Sequence, residues 1–126
     1  HRQRRPDDWG LIEEPLALAA VLRAEAAEGR CLLVDCLTLW LTNLLMLEDD
    51  QRLAEERDAL LACLEQLPGT LILVSNETGL GVVPMGELTR RYVDLAGWLH
   101  QAVAERCQRV VLTVAGLPLI LKGPAL

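Results

Sequence analysis

Aromatic residues are scarce in this chain of 126 residues, which contains three Trp, one Tyr and no Phe. A core without them must be built from Leu, Val and Ala. The apolar fraction of 52% is that of a folded protein and excludes a disordered one. The length fits one domain, residues 1–126, which can bury about two-thirds of the surface of the unfolded chain.

Basic charge is also scarce, and the formal net charge is −6. This balance excludes a general nucleic-acid-binding role, because such proteins carry basic surfaces. No run reaches the roughly 18 apolar residues that would span a bilayer, and no charged-then-apolar leader opens the chain. The sequence therefore predicts a soluble, cytoplasmic protein.

Metal-binding cysteine motifs are missing. No C-x-x-C pair occurs, and only two His are present, so a zinc site is not expected. Reduced cysteines in a cytosolic protein are the favoured interpretation. The four thiols are those of Cys31, Cys36, Cys63 and Cys107.

Strand-like and helix-like segments alternate along the chain. Apolar patterning predicts helices over 16–27, 37–47, 52–67 and 87–106, and strands over 31–34, 70–75, 110–114 and 119–122. Residues 11–14 fit either a short strand or an extended arm. Alternation of this kind implies an α/β fold with a mostly parallel sheet flanked by helices. The unbroken apolar runs predict strands that are buried on both faces.

Asp35 ends the first unbroken run, Leu32-Leu33-Val34. It therefore falls at the carboxyl end of a strand, where open α/β sheets bind ligands. A carboxylate there holds a metal ion or orients a substrate, because a buried unpaired charge would be costly. In nucleotide-binding folds this is the Walker B arrangement, in which the Asp serves Mg²⁺ beside phosphates.

A second polar segment, Ser75-Asn76-Glu77, follows the strand predicted over 70–75. The loop after it holds three Gly and one Pro, and Gly allows close approach of the backbone to a ligand. Asp35 and Glu77 place acidic side chains at the ends of two strands, on one edge of the predicted sheet, and this favours a functional site. A turn with ordinary capping is the alternative.

The opening segment H-R-Q-R-R-P is the third candidate site. Arg2, Arg4 and Arg5 can pair with phosphates, and the imidazole of His1 could attack a phosphorus atom. Taken alone, these residues fit a solvated terminus better than a phosphate site. His100 is interpreted as a surface or packing residue, and Arg90-Arg91 as a solvated face or a phosphate or subunit contact.

Five segments together resemble the bifunctional cobinamide kinase / cobinamide-phosphate guanylyltransferase family of cobalamin synthesis. In chain order they are H-R-x-x-R-P-x-x-W, L-V-D-C-L-T-L-W-L-T-N-L-L, V-S-N-E-x-G-x-G-x-V-P, R-x-Y-x-D-L-A-G-x-L-H-Q and V-A-G-L-P-L-x-L-K. The resemblance implies a RecA-like P-loop nucleotide-binding fold and a homotrimer. It also implies phosphorylation of adenosylcobinamide with ATP or GTP, then transfer of GMP from GTP through a GMP–histidine intermediate, giving adenosylcobinamide-GDP.

By this resemblance, His1 matches the histidine that becomes guanylylated. The segment that follows it and contacts GTP is matched by Arg2, Gln3, Arg4 and Arg5. Glu13 and Asp35 match two further GTP-site positions, and Asp35 would organise Mg²⁺. Glu77 is a candidate for orienting the cobinamide hydroxyl or a water.

Members of this family open with a strand, a G-G-x-R-S-G-K-S type loop and a helix, whereas these 126 residues contain no G-x-x-x-x-G-K-[ST]. The sequence is therefore expected to be the carboxyl-terminal part of a longer protein, with a raw sheet edge or an exposed apolar patch. Two alternatives stay open: a non-catalytic remnant of such an enzyme, and a different P-loop small-molecule kinase. The mechanism requires a triphosphate across the carboxyl edge of the sheet, within reach of His1 and Asp35.

Overall fold

Four helices and four strands form the part of the chain that the computed structural model describes, residues 8–126. In chain order these are α1 (Leu18–Glu25), β1 (Cys31–Asp35), α2 (Leu37–Met46), α3 (Asp50–Cys63), β2 (Thr70–Val74), α4 (Glu87–Arg106), β3 (Val110–Val114) and β4 (Leu117–Lys122). The predicted site residues His1, Arg2, Gln3, Arg4 and Arg5 lie outside the described residues.

The strands form two separate pairs. β1 and β2 are parallel, with Asp35 opposite Val74, whereas β3 and β4 are antiparallel. Within residues 8–126 no ladder joins the pairs, so one mostly parallel sheet is not what this part of the chain forms. β4 pairs antiparallel with β3 because a tight turn connects the two strands. Ala115 and Gly116 both have positive φ, 53° and 75°, as a type I′ hairpin turn requires.

The faces of the strands also differ from prediction. In β1 and β2 burial alternates, and Leu32 and Val34 pack against the core. The opposite face is exposed, with Leu33 at 49%, Ile72 at 48% and Val74 at 40%. The prediction of burial on both faces is therefore wrong for residues 8–126. An unbroken apolar run is compatible with burial of both faces of a strand. In residues 8–126 the helices cover one face of β1 and β2 and leave the other face exposed.

Helix α2 lies at the centre of the core. Its Leu37, Leu41 and Leu44 are at most 2% exposed, which confirms a helix buried on most sides. Leu60 of α3 and Leu99 of α4 are equally buried. Burial of one such side chain contributes about 1.5–3 kcal/mol relative to leaving it exposed. The buried core of residues 8–126 is mostly Leu, and Trp40, 4% exposed, is its one aromatic side chain.

The ends of the helices follow local chemistry. α1 begins at Leu18, because the carboxylate of Glu14 accepts hydrogen bonds from the N–H groups of Leu16 and Ala17 at 3.0 and 3.1 Å and forms a turn before it. These two bonds lower the pKa of Glu14. Asp49 caps α3 by accepting from the Arg52 N–H at 3.0 Å.

Candidate functional site

Two predicted site segments meet at one edge of the parallel pair. Because Asp35 is paired with Val74, β1 and β2 end side by side. Asp35 is the last residue of β1, and Ser75-Asn76-Glu77 continues directly from β2. The carboxyl edge predicted from the sequence therefore exists and carries both segments. The peptide bond between Asp35 and Cys36 is cis.

A hydrogen bond links the two strand ends. The side-chain amide of Asn76 donates to Oγ1 of Thr38 at 3.0 Å, and Cys36 Sγ lies 3.3 Å from the same oxygen. Thr38 is only 4% exposed and is the only polar side chain among the described residues that is buried. Its hydroxyl therefore has hydrogen-bond partners, as a buried polar group requires. This contact fixes the chain after β2 against the first turn of α2.

The chain after β2 is also tied to α4. Ser75 Oγ lies 2.6 Å from His100 Nε2, across 25 residues of sequence. Sequence reasoning missed this pair and treated His100 as a surface or packing residue. One signal was available: His100 follows Ala96 by four residues and precedes Val103 by three, and both are buried, so a polar group stands on the apolar stripe of the helix.

Glu77 makes a local contact. Its Oε1 accepts a hydrogen bond from the Gly79 N–H at 2.5 Å, which is the turn-capping arrangement considered from the sequence. The loop beyond it, residues 78–86, exposes four aliphatic side chains. These are Leu80 at 83%, Val82 at 97%, Val83 at 69% and Met85 at 95%.

Helix α2 starts directly beside Asp35. Its N-cap is Cys36, and no side chain caps its first turn. Unpaired N–H groups and the helix dipole make such an N-terminus favourable for phosphate. Within residues 8–126 no group of three or more His, Cys, Asp or Glu could hold a metal ion. Asp35 nevertheless suits Mg²⁺, which is usually bound by one or two carboxylates with water and substrate phosphates completing the shell.

The arm that carries Glu13, residues 10–17, contains neither a strand nor a helix. Helix α2 holds the end of this arm through two side chains. Trp40 Nε1 donates to the carbonyl of Leu16 at 2.7 Å, and the amide of Asn43 donates to the carbonyl of Pro15 at 3.2 Å. The helix that starts at the candidate site therefore also holds the end of the segment that carries Glu13.

Two of the three arginines of α4, Arg90 and Arg91, line one shallow groove, and Arg91 also makes an ion pair. Arg91 donates to Asp50, which joins α4 to the start of α3. Arg90 lines a shallow groove of about 380 Å³ with Trp98 and Asp94. The ion pair gives Arg91 a structural role between two helices.

The described residues include all four cysteines. All four cysteines are free, and burial raises the pKa of Cys63 and of Cys107. None of the helices in residues 8–126 combines the length and the apolar character needed to cross a membrane.

Comparison with known proteins places the chain in a family. A family model described as cobinamide kinase / cobinamide phosphate guanyltransferase matches residues 1–121. The bifunctional adenosylcobalamin biosynthesis protein CobP of Pseudomonas aeruginosa is 74% identical over 126 residues, which is 100% of this chain and 73% of that protein. The proteins named CobU of Escherichia coli and Salmonella typhimurium are each 30% identical over 135 residues, covering 97% of this chain and 75% of each relative. The chain therefore belongs to the cobinamide kinase / cobinamide phosphate guanyltransferase family of enzymes.

Proposed function

We propose that the protein phosphorylates adenosylcobinamide with ATP or GTP and then transfers GMP from GTP to the new phosphate, giving adenosylcobinamide-GDP and pyrophosphate. One observation carries the proposal. The register of β1 and β2 puts Asp35 and the segment Ser75-Asn76-Glu77 on the same edge of a parallel pair. Nucleotides bind at such edges in open α/β folds.

His1 is the proposed nucleophile of the guanylyl transfer. A neutral imidazole is nucleophilic near pH 7. Its ring nitrogen attacks the α-phosphorus of GTP, an N–P bond forms, and the P–O bond to pyrophosphate breaks. A phosphate oxygen of adenosylcobinamide phosphate then attacks the same phosphorus and the N–P bond breaks. Covalent catalysis of this kind divides one difficult displacement into two easier ones.

The neighbouring arginines neutralise charge in this proposal. Arg2 and Arg5 clamp the phosphates, since a guanidinium pairs with phosphate oxygens in two parallel hydrogen bonds. Gln3 and Arg4 complete the contact with GTP. Glu13 accepts hydrogen bonds from guanine or ribose, and the arm that carries it is held by Trp40.

Asp35 is the proposed ligand for Mg²⁺. The ion supplies positive charge beside the phosphates when it is bound. The N–H groups of the first turn of α2 lie next in the chain and favour the same phosphates. Glu77 is the proposed group for orienting the cobinamide hydroxyl or a water, which requires that its carboxylate leave the Gly79 N–H.

The complete enzyme is proposed to have a RecA-like P-loop fold and to act as a cytoplasmic homotrimer. The exposed apolar face of β1 and β2, which includes Leu33 and Ile72, supports a further covering element in the complete protein. The kinase reaction also needs a phosphate loop, because backbone N–H groups and a Lys cradle the transferred phosphate in P-loop enzymes. We propose that residues beyond these 126, in the same or another chain, supply it.

Incubation with α-labelled GTP and Mg²⁺ tests the proposed function. Protein made from the complete gene and the 126-residue chain are both assayed, with His1→Asn as the control. We expect a covalent label that is labile in acid, stable in base and lost in the His1→Asn variant. A folded 126-residue chain without label would be a non-catalytic remnant. Phosphorylation of another small alcohol without covalent GMP would indicate a different P-loop kinase.

A further inference from the structure

We propose that His100 is a positioning residue of the nucleotide site, acting through Ser75 on the segment that closes the carboxyl edge of β2. The inference rests on the proposed function and names a residue to which neither the sequence motifs nor the resemblance assigns a role. His100 belongs to α4, and its contact with Ser75 is the hydrogen bond that anchors this segment to that helix.

The contact is short and specific. Ser75 Oγ and His100 Nε2 lie 2.6 Å apart, at the short end of the hydrogen-bond range. Both side chains are partly buried, so water competes less with the bond than it would at the surface. On α4, His100 is adjacent to Leu99, which is 2% exposed, and is therefore on a part of the helix that packing holds in place.

The bond is one of two that hold the same short segment. Ser75 contacts His100 on α4, and the next residue, Asn76, donates to Thr38 on α2 at 3.0 Å. Thr38 lies three residues after Asp35. Two side chains in succession thus fix the chain after β2 to two different helices, immediately before Glu77.

This arrangement matters for chemistry because transfer depends on position. Displacing a reacting group by about 1 Å can lower a rate about 100-fold. Without the bond from His100, the segment would lose one of the two side-chain anchors described above and would be less firmly held beside the end of β1. Binding of GTP depends on many other contacts, so the effect is expected on turnover rather than on affinity.

His100→Leu and Ser75→Ala test the proposal in protein made from the complete gene. Leu has a similar bulk without a hydrogen-bonding group, and Ala removes only the hydroxyl. We expect kcat of GMP transfer to fall about tenfold or more in either variant. KM for GTP should stay within about twofold, since uniform binding is unchanged. Gln101→Leu, at the exposed neighbouring position, is the control and should leave kcat unchanged.

Two further variants separate positioning from simple loss of structure. His100→Gln places an amide near the position of Nε2 and should recover most of kcat. The double variant should be no slower than the slower single variant, because both changes break the same bond. Melting temperatures measured in parallel identify any unfolded variant; if His100→Leu unfolds, Ser75→Ala and His100→Gln decide the question.

The outcomes are distinct. The inference is overturned if the wild-type protein transfers GMP and the folded variants keep the wild-type kcat. It is also overturned if His100→Gln is as slow as His100→Leu, or if the losses of kcat in the two single variants multiply in the double variant. Absence of GMP transfer by the wild-type protein overturns the proposed function itself, and this inference with it.

Discussion

The side-chain amide of Asn76 donates a 3.0 Å hydrogen bond to Oγ1 of Thr38, across 38 residues of sequence. The bond joins the chain that leaves β2 to the first turn of α2, which starts two residues after Asp35. The parallel pairing of the strands brings their ends together, and this bond fixes the polar groups that follow them. The geometry of the candidate site depends on both.

Two substitutions of Thr38 should separate the effect of its hydroxyl on GMP labelling from the effect of the side chain on the free energy of unfolding. Thr38→Val leaves the Asn76 amide without its acceptor, and we expect unfolding free energy to fall by about 1 kcal/mol and GMP labelling to slow. Thr38→Ser keeps the hydroxyl and loses a buried methyl group, so it should lose a similar stability and keep the labelling rate. Urea unfolding and labelling with α-labelled GTP measure the two effects. Equal labelling rates in the Val and Ser variants would show that the bond has no part in the site.

Trp40 is expected to matter far more than Trp98. Trp40 is 4% exposed and donates to the Leu16 carbonyl, whereas Trp98 is 62% exposed. Trp40→Phe should lower the free energy of unfolding by about 1–2 kcal/mol, because it removes a part-buried hydrogen bond and leaves a carbonyl without its donor. Trp98→Phe should change stability by less than about 0.5 kcal/mol. A larger loss at Trp98 than at Trp40, measured by urea unfolding, would contradict the described packing.

Two glycines should respond to alanine in opposite directions. Gly69 has a φ of 80°, and an added Cβ would overlap the carbonyl oxygens of Ala27 and Arg30. Gly69→Ala should therefore lower the free energy of unfolding by about 1–3 kcal/mol. Gly97 lies inside α4, where an added Cβ meets nothing within 4 Å. Gly97→Ala should raise stability by about 0.5–1 kcal/mol, since Ala is the better helix former.

The comparison is made by chemical denaturation of the two variants beside the wild type. Stabilisation by Gly69→Ala would show that Gly69 does not have a positive φ beside the carbonyl oxygens of Ala27 and Arg30. Destabilisation by Gly97→Ala would mean that another chain or segment packs closely on that side of α4.

The four thiols should differ in reactivity. Burial raises the pKa of Cys63, so at pH 8 a smaller fraction is thiolate than in an ordinary thiol, and the reactive form is less abundant. Cys31 is exposed and should be alkylated first in the native protein. Cys63 should be alkylated last, and its rate should keep rising with pH above the ordinary thiol range. Mass spectrometry of partly alkylated protein gives the order, and early modification of Cys63 would contradict its burial.

Periodicity predicted the helices well. The bounds of α4, Glu87–Arg106, are those expected from the sequence, because a long amphipathic pattern and a glycine-rich loop before it mark the helix. The parallel pairing of β1 and β2 and the place of Asp35 also follow from the pattern. These are the features that depend on local chemistry and on chain topology.

Other features could not be predicted because they depend on what covers each element. The apolar run around Leu33 is exposed on one face. The last strand was predicted over 119–122 but starts at Leu117 and includes Pro118; β4 pairs on one side only within residues 8–126, so the missing N–H of Pro is tolerated. The bond between Ser75 and His100 joins residues 25 apart in the chain, and their contact is set by the packing of α4.

A crystal structure of the complete protein with a non-hydrolysable GTP analogue and Mg²⁺ tests the central claim most directly. We expect the phosphates at the carboxyl edge of β1 and β2, the Asp35 carboxylate on Mg²⁺ directly or through one water, and the His1 imidazole facing the α-phosphorus. A nucleotide bound away from this edge, or His1 and Asp35 on opposite sides of the molecule, would contradict the account.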